Sequence, residues 1–503
     1  MMTRKEARAV YHAGEAAVVR VLLDMERRIH VLEQQVLDLT KRLEQSAERV
    51  RHLEDRLARN SHNSNKPPSS DGFGKPAPKS LRTRGARKTG GQPGHPGHTL
   101  KMADQPDHTE LHRVCVCTRC GRSLADRPAD AIEKRQVHDL PPLRLLVTEH
   151  QVETKICDCG HRNKAAFPED VNAPVQYGKR IKSAAICLKG YQTIPYERGC
   201  ELLGDLFGCT LCQGTLANII AQADGLAADP VERIREQVTQ ASLAHFDETG
   251  TRVEGKLWWL HSASTSKATC YDIHRKRGRE AFDANGILPA FRGRAIHDFW
   301  RPYLRYSCLH GLCNAHHLRE LIFVHEQHQQ GWAGRMIECL LDIKAAVDAA
   351  KHRAGSSART ERPGRLAPKQ IKAFEARYQQ ILDEGYAQNP LQPPAPDAKK
   401  KRGRRKKTTP RNLLERLDEH RAEALAFMYD LSVPFDNNQA ERDLRMMKVQ
   451  QKISGTFRTE DGAKSFCRIR SYISTARKNA IGAFEALTRL FEGNPFVPTP
   501  DSS

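Results

Sequence analysis

The sequence predicts a multidomain α/β protein. Three observations carry that expectation: a long heptad run near the start, paired cysteines at metal-ligand spacing after it, and strand-rich segments alternating with helical ones from residue 242 onward. At 503 residues the chain is too long for one compact core, so several modules are expected. Hydrophobic residues make up 39 % and charged residues 28 %, which suits ordered domains joined by polar linkers. The formal net charge of +21 favours a polyanionic partner, with nucleic acid first. No apolar run reaches the roughly 18 residues that a membrane span needs. The stretch MMTRKEARAV lacks the apolar core of a secretory signal. A cytoplasmic protein with no membrane partner is expected. Its fourteen cysteines then read as metal ligands or buried thiols rather than disulfides.

The first module spans residues 20–58. Leu22, Ile29, Val36, Leu43, Val50 and Leu57 fall at position a, and Met25, Leu32, Leu39, Ser46 and Leu53 at position d. Ten of these eleven are apolar, a sustained coiled-coil pattern that predicts a homodimer. An amphipathic helix packed on its own chain is the plainer alternative. Residues 59–111 form a linker. Its turn formers and adjacent prolines stop the helix, and Lys75 to Lys101 holds seven Lys/Arg and no acid. That tether suits phosphate contact without sequence readout, or a solvated spacer.

Residues 112–170 carry the pairs Cys117-x2-Cys120 and Cys157-x-Cys159, each followed by glycine. Four thiolates from two such pairs can hold one structural Zn²⁺, with HDLPPLRLLVTEHQVETKI between them read as β-like. Cys115 and His161 are spare ligands. Residues 171–238 read as helical. A break at Gly208 between two helices allows a helix-turn-helix DNA reader, or an ordinary connector. Cys209 and Cys212 straddle that break and read as small core residues.

Residues 239–490 form the largest unit, before a short tail at 491–503. SLAHFDET, TRVEGKLWWLHSAST and ATCYDIHRK read as three strands, GREAFDANGIL as a helix and GRAIHD as a fourth strand. YSCLHGLCNAHHLRELIFVHEQ reads as strand then helix. This order suggests a mixed sheet of the ribonuclease H type, interrupted by a helical insertion at about 330–433 that contains the basic run Lys399 to Lys407.

Phosphodiester transfer needs an activated nucleophile and a stabilised leaving oxygen, and two Mg²⁺ (or Mn²⁺) ions held by carboxylates supply both. Asp247 ends the first strand, Asp298 ends the fourth, and Glu441 lies one turn into the last long helix, so these three are the candidate catalytic and metal-binding acids. Glu248 points to the other side of the strand and is set aside. Arg445, Lys448 and Lys452 share the helix face of Glu441, and the basic row runs on through Arg458, Arg468 and Arg470. Arg442, Arg445, Lys448, Lys452 and Arg458 are therefore the candidate DNA-binding residues. Leu444, Met447 and Ala440 are expected to pack on the sheet. His316 and His317 are candidates to touch DNA or position a water, or plain structural histidines.

Ten ordered motifs then give a resemblance. The heptads, NSNKPPSSD, GGQPGH, the cysteine pairs, HFDET, IHDFWRPY, CNAHHLREL, NNQAERDLR, QKISGTFR and IRSYISTARKN together resemble the transposases of the insertion-sequence sixty-six family. These are bacterial DDE enzymes of mobile elements. The resemblance implies a ribonuclease H-like catalytic domain with an insertion before the glutamate, a zinc-binding module, and binding of double-stranded DNA at inverted-repeat ends. It further implies accessory proteins from the same element, and acids at Asp247, Asp298 and Glu441. The C-x-C at Cys157 departs from the usual second C-x2-C. Two alternatives stay open: a non-catalytic DNA-binding regulator, and a nuclease that cuts without joining.

Overall fold

The computed structural model describes residues 2–60, 62–64, 100–141, 143–356, 366–391 and 407–498. Most of the basic tether and all but the last residue of the Lys399–Lys407 run lie outside the described residues.

A short helix α1 (Arg4–His12) begins at a capping box, in which the Thr3 and Glu6 side chains each accept from the other's backbone N–H. After Gly14 comes α2 (Glu15–Ala58), one unbroken helix of 44 residues. Its heptad side chains stay in solvent: Leu32 is 58 % exposed and Leu43 72 %.

The cysteine region is nearly all exposed. Val116 bridges Ser123 in one small turn, and β1 (Thr154–Ile156) pairs antiparallel with β2 (Arg162–Lys164) in another. The β-like reading of residues 138–156 is corrected here: only Thr154–Ile156 is strand. Pro141 offers no ladder donor, and no described neighbour pairs with the rest.

Four helices follow: α3 (Lys179–Ile186), α4 (Tyr196–Phe207), α5 (Gln213–Leu226) and α6 (Ala228–Gln240). Gly208 ends α4 in the left-handed region at φ 64°, where a side chain would be strained. Ile186, Leu203, Leu216 and Ile234 from this layer bury against Tyr472, Ile473 and Leu487 near the end of the chain.

The central sheet has five strands in the order β5-β4-β3-β6-β7. Strands β3 (Leu243–Val253), β4 (Lys256–Ser264) and β5 (Thr269–His274) form an antiparallel meander. The β3–β4 turn places Glu254 and Gly255 at φ 52° and 73°, the signs a tight hairpin turn requires. Helices α7 (Arg279–Asn285) and α8 (Ile287–Ala290) then carry the chain across to β6 (Arg294–His297), which runs parallel to β3, and β7 (Leu309–Leu312) lies parallel to β6. The sheet is mixed, as expected.

After β7 comes α9 (Asn314–Gln327), then a helical block of α10 (Gly331–Ser356), α11 (Pro368–Gln388), α12 (Thr409–Glu419), α13 (Arg421–Ala424) and α14 (Ala426–Tyr429). Trp332, Tyr378, Leu414 and Phe427 fill its core. The far end of α2 meets this region: Arg59 lies over the Phe323 ring at 5.3 Å and Asp55 pairs with His328 at 3.5 Å. Next, α15 (Asn438–Ile453) crosses β3 and β4, with Ala440, Leu444 and Met447 buried as expected. Helix α16 (Glu460–Lys478) covers the edge strand β5. Ser471 Oγ and Thr475 Oγ1 accept its Tyr271 and Thr269 N–H groups at 2.8 and 3.0 Å, which shields an otherwise open edge. A last helix, α17 (Ala483–Phe491), closes the body.

One glycine sets how closely β6 can approach β3. A Cβ on Gly293 would lie 2.3 Å from the Ala241 carbonyl oxygen and 2.6 Å from that of Ser242. Arg294 N–H donates to Ser242 across that contact at 2.8 Å. Gly293→Ala is expected to force the two strands apart and to destabilise the protein by about 1–3 kcal/mol, the usual cost of overpacking. Denaturant unfolding measures this, and an unchanged midpoint would show that the strand junction can yield freely.

Candidate active site

The parallel register of β3 and β6 decides which side chains meet. Leu243 faces Arg294 and His245 faces Ile296, so two residues further on Asp247 comes level with Asp298. Neighbouring strands are about 4.8 Å apart. Asp247 Oδ1 accepts from the Glu248 N–H at 2.8 Å, and Asp298 Oδ1 from the Trp300 N–H at 3.0 Å. Burial pushes the pKa of each above the usual carboxylate range, and for Asp247 the negative charges of Glu248, Asp298 and Glu441 push further.

A buried amide sets Glu441 on the side of this pair. Asn437, just ahead of α15, is 2 % exposed. Its Oδ1 accepts from His245 Nδ1 at 2.7 Å, its Nδ2 donates to the Phe246 carbonyl at 2.9 Å, and its backbone N–H meets Cys313 Sγ at 3.1 Å. This fixes the start of α15 beside β3, and Glu441 follows one turn later. In this structure Glu441 Oε1 faces α9, with Arg319 Nη2 at 3.7 Å and His316 Nε2 at 3.9 Å. Burial, with Arg319 and Arg416 nearby, drives the His316 pKa down to about 3, so that imidazole is neutral. Among the described residues, no three His, Cys, Asp or Glu side chains converge closely enough to hold a metal ion. The residues still fit a hard divalent cation: two level, half-buried carboxylates repel one another, and a cation with oxygen ligands would relieve that repulsion.

The other face of β3 carries a support that the sequence reading set aside. Glu248 projects with Phe246 toward Tyr303. The Tyr303 hydroxyl donates to Glu248, and Arg277 Nε and Nη2 both reach Glu248 Oε1 at 2.7 Å. Burial and then Asp298 raise the Glu248 pKa to about 7, against the lowering effect of Arg277. The Arg277 guanidinium also lies over Trp259 and Trp300, at 4.9 and 4.1 Å. Arg277, Tyr303, Asn437 and Arg319 were all missed as site residues. Asn437 and Arg319 lie inside the motifs NNQAERDLR and CNAHHLREL, and that was their only signal. His317 is buried, 3.2 Å from Asn314 Oδ1, and has a structural place.

The candidate DNA-binding cations divide. Arg442, Arg445, Lys452 and Arg458 are exposed and make no ion pair among the described residues. Lys448 donates to the Gly250 carbonyl at 3.4 Å, and burial lowers its pKa. The basic row does not continue as a free row. Arg468 pairs with Asp224 at 2.6 Å, while Arg470 donates to the Tyr191 carbonyl at 2.8 Å and lies over its ring.

Each cysteine pair is built as a small turn. Gly121 N–H donates to the Cys117 carbonyl and Gly160 N–H to that of Cys157, with both glycines at positive φ (74° and 85°). Backbone N–H groups of Arg119 and Cys120 lower the Cys117 pKa, and those at Cys159 do so for Cys157. Donors aimed at sulfur favour thiolates, the form that binds metal. Cys117 with Cys120, and Cys157 with Cys159, are thus close within each pair, but the two pairs do not converge. Cys209 is buried and Cys212 exposed; Cys212 Sγ accepts from Thr215 N–H at the start of α5.

A mixed sheet with Asp247 inside β3, which runs on to Val253 rather than ending at the aspartate as the sequence suggested, and with Asp298 just past the end of β6, defines an acidic pocket in a strongly basic protein. The chain belongs to the IS66 transposase family: the family model described as Transposase IS66 family matches residues 174–465. A second model, a family of unknown function (DUF6444), matches residues 18–101. No curated protein matches. No helix among the described residues is long and apolar enough to cross a membrane.

Proposed function

We propose that this protein is a DDE-type transposase with a ribonuclease H-like catalytic domain. It binds double-stranded DNA at the inverted-repeat ends of its element, cuts there, and joins the freed 3′-hydroxyl to target DNA. The observation that supports this reading is the register of β3 and β6, which sets Asp247 level with Asp298, with Glu441 near enough for its charge to act on Asp247. Mg²⁺ or Mn²⁺ held by Asp247, Asp298 and Glu441 would activate the attacking oxygen and stabilise the leaving one. In cleavage, water attacks the phosphorus and the P–O3′ bond breaks, leaving a 3′-hydroxyl and a 5′-phosphate. In joining, that hydroxyl attacks a target phosphorus and releases a target 3′-hydroxyl. Each nucleophile gives its proton to solvent, and each leaving 3′-oxygen takes one up from solvent.

The chain's own part is positioning. Asn437 holds α15 against β3, and Arg277 with Tyr303 steadies Glu248 behind Asp298. Arg442, Arg445, Lys452 and Arg458 are free to meet backbone phosphates, and Lys448 can join them by releasing Gly250. With purified protein, Mg²⁺ and DNA carrying the inverted repeats, Asp247→Asn, Asp298→Asn and Glu441→Gln should each lower cleavage at least 1,000-fold, roughly the scale for removing a member of a catalytic set. End binding should stay within about threefold. A variant that loses binding and cleavage in equal measure would refute this division of roles. Cleavage without joined product would favour the nuclease reading, and binding without cleavage by the wild type would favour a regulator or the need for an accessory protein of the same element.

Two further parts of the reading concern assembly. The exposed heptad side of α2 takes a second copy of this chain as a coiled coil, which removes its solvent-facing leucines from water. Sedimentation should give a dimer, and Leu32→Asp with Leu39→Asp a monomer; an unaltered mass would defeat the pairing. Cys117, Cys120, Cys157 and Cys159 hold one structural Zn²⁺, for which the two turns must close on one another. Elemental analysis should find one zinc per chain, falling to a trace in Cys117→Ser with Cys120→Ser. A zinc-free wild type purified without chelator would count against the site.

A further inference from the structure

Arg319 stands beside Glu441 with its Nε unmet. Its Nη2 lies 3.7 Å from Glu441 Oε1, within ion-pair reach but too far for a hydrogen bond. Its Nε is buried and has no hydrogen-bond partner. His316, one turn earlier on α9, repeats the pattern: Nε2 is 3.9 Å from the same oxygen, and Nδ1 is buried without a partner. A buried polar atom without a partner is costly, so two side by side suggest a ligand that completes them. The other arginines of the pocket already have anions, although Arg416 shares the buried, unpartnered Nε. Arg277 gives Nε and Nη2 to Glu248, and Arg416 gives Nη2 to Glu320 while lying over Phe299.

The ligand must carry paired anionic oxygens, because a planar guanidinium fork matches the two oxygens of a phosphate or carboxylate. It must also sit next to Asp247, Asp298 and Glu441, and in nucleic acid the phosphodiester is the group of that kind. We propose that Arg319 grips a non-bridging oxygen of the phosphodiester under attack, with His316 beside it on the same helix. Taking that oxygen loosens the long contact with Glu441 and frees the carboxylate toward Asp247. This rests on the strand-cutting reading above and adds the residue that holds the reacting group.

The test uses full-length protein and end-bearing DNA in two forms, one ordinary and one with a single uncharged methylphosphonate at the cut position. Affinity is measured in Ca²⁺, another cation with oxygen ligands. Wild type should bind the uncharged form about tenfold more weakly, the scale of one charge-assisted hydrogen bond. Arg319→Ala should bind both forms alike. In Mg²⁺ at saturating DNA, Arg319→Ala should cut the ordinary DNA about 100-fold more slowly, the low end for losing one donor to a transition-state oxygen, with KM raised by no more than the roughly tenfold that the lost contact accounts for. Arg319→Lys, which keeps charge without the fork, should recover part of the rate and guards against a folding defect. Arg319→Ala that still prefers the charged linkage, or cuts at the wild-type rate, would overturn the assignment. Faster cutting by Arg319→Ala would also overturn it and mark Arg319 as a restraint on Glu441. A wild type that binds ends but cuts in neither Mg²⁺ nor Mn²⁺ would instead strike the reading beneath, and this proposal with it.

Discussion

The Asn437 side chain is the contact on which the pocket depends. Through one amide and its own N–H it joins the middle of β3, the turn between β7 and α9, and the start of α15. These segments lie far apart in the chain: His245 is 192 residues from Asn437, and Cys313 is 124. An amide can bridge them because it donates on one side and accepts on the other. His245 suits it, since burial favours the neutral ring that can donate from Nδ1. A buried polar network of this kind is stiff when every partner is met. The acidic residues inherit that stiffness: Asp247 lies two residues beyond His245, and Glu441 four beyond Asn437.

Much of the scaffold was legible in the sequence because local chemistry decides it. Aromatic and branched residues between turn formers marked β3, β4 and β5, and the helical stripe around Leu444 and Met447 marked α15. Asp298 was named by its place at a strand end and Glu441 by its helix; Asp247 was expected to end its strand, but β3 runs on six residues to Val253 because Thr251 to Val253 still pair with β4. What each acid touches was not legible. Arg319 and His316 reach Glu441 from a helix more than a hundred residues earlier, and no local pattern encodes that meeting. Charge rows misled for a related reason. Arg468 and Arg470 look like further phosphate contacts until tertiary packing gives them Asp224 and Tyr191 as partners. The strand expected at residues 138–153 failed because a strand needs a neighbour as well as the right residues.

The pocket is acidic at its centre and cationic at its edge, in a chain of net charge +21. Asp247 and Asp298 crowd each other, while Arg277, Arg319 and Arg416 stand around them. The histidines there do not add charge: burial drives His297 and His316 to pKa values of about 3. Positive charge at the edge therefore comes from guanidinium groups, which hold their protons at any working pH.

The helical block between α9 and α15 takes part in this arrangement. Burial raises the Asp298 pKa and Arg416 of the block works against that rise, while the Ala424 carbonyl accepts from the buried amide of Asn314 at 2.8 Å. Such a block cannot be shortened or exchanged as a self-contained cassette. A graft that preserved every residue of the sheet would still strip one aspartate of a neighbouring guanidinium and leave a buried donor without its acceptor. Any minimal version of this protein has to carry α12 and α13 along with the sheet.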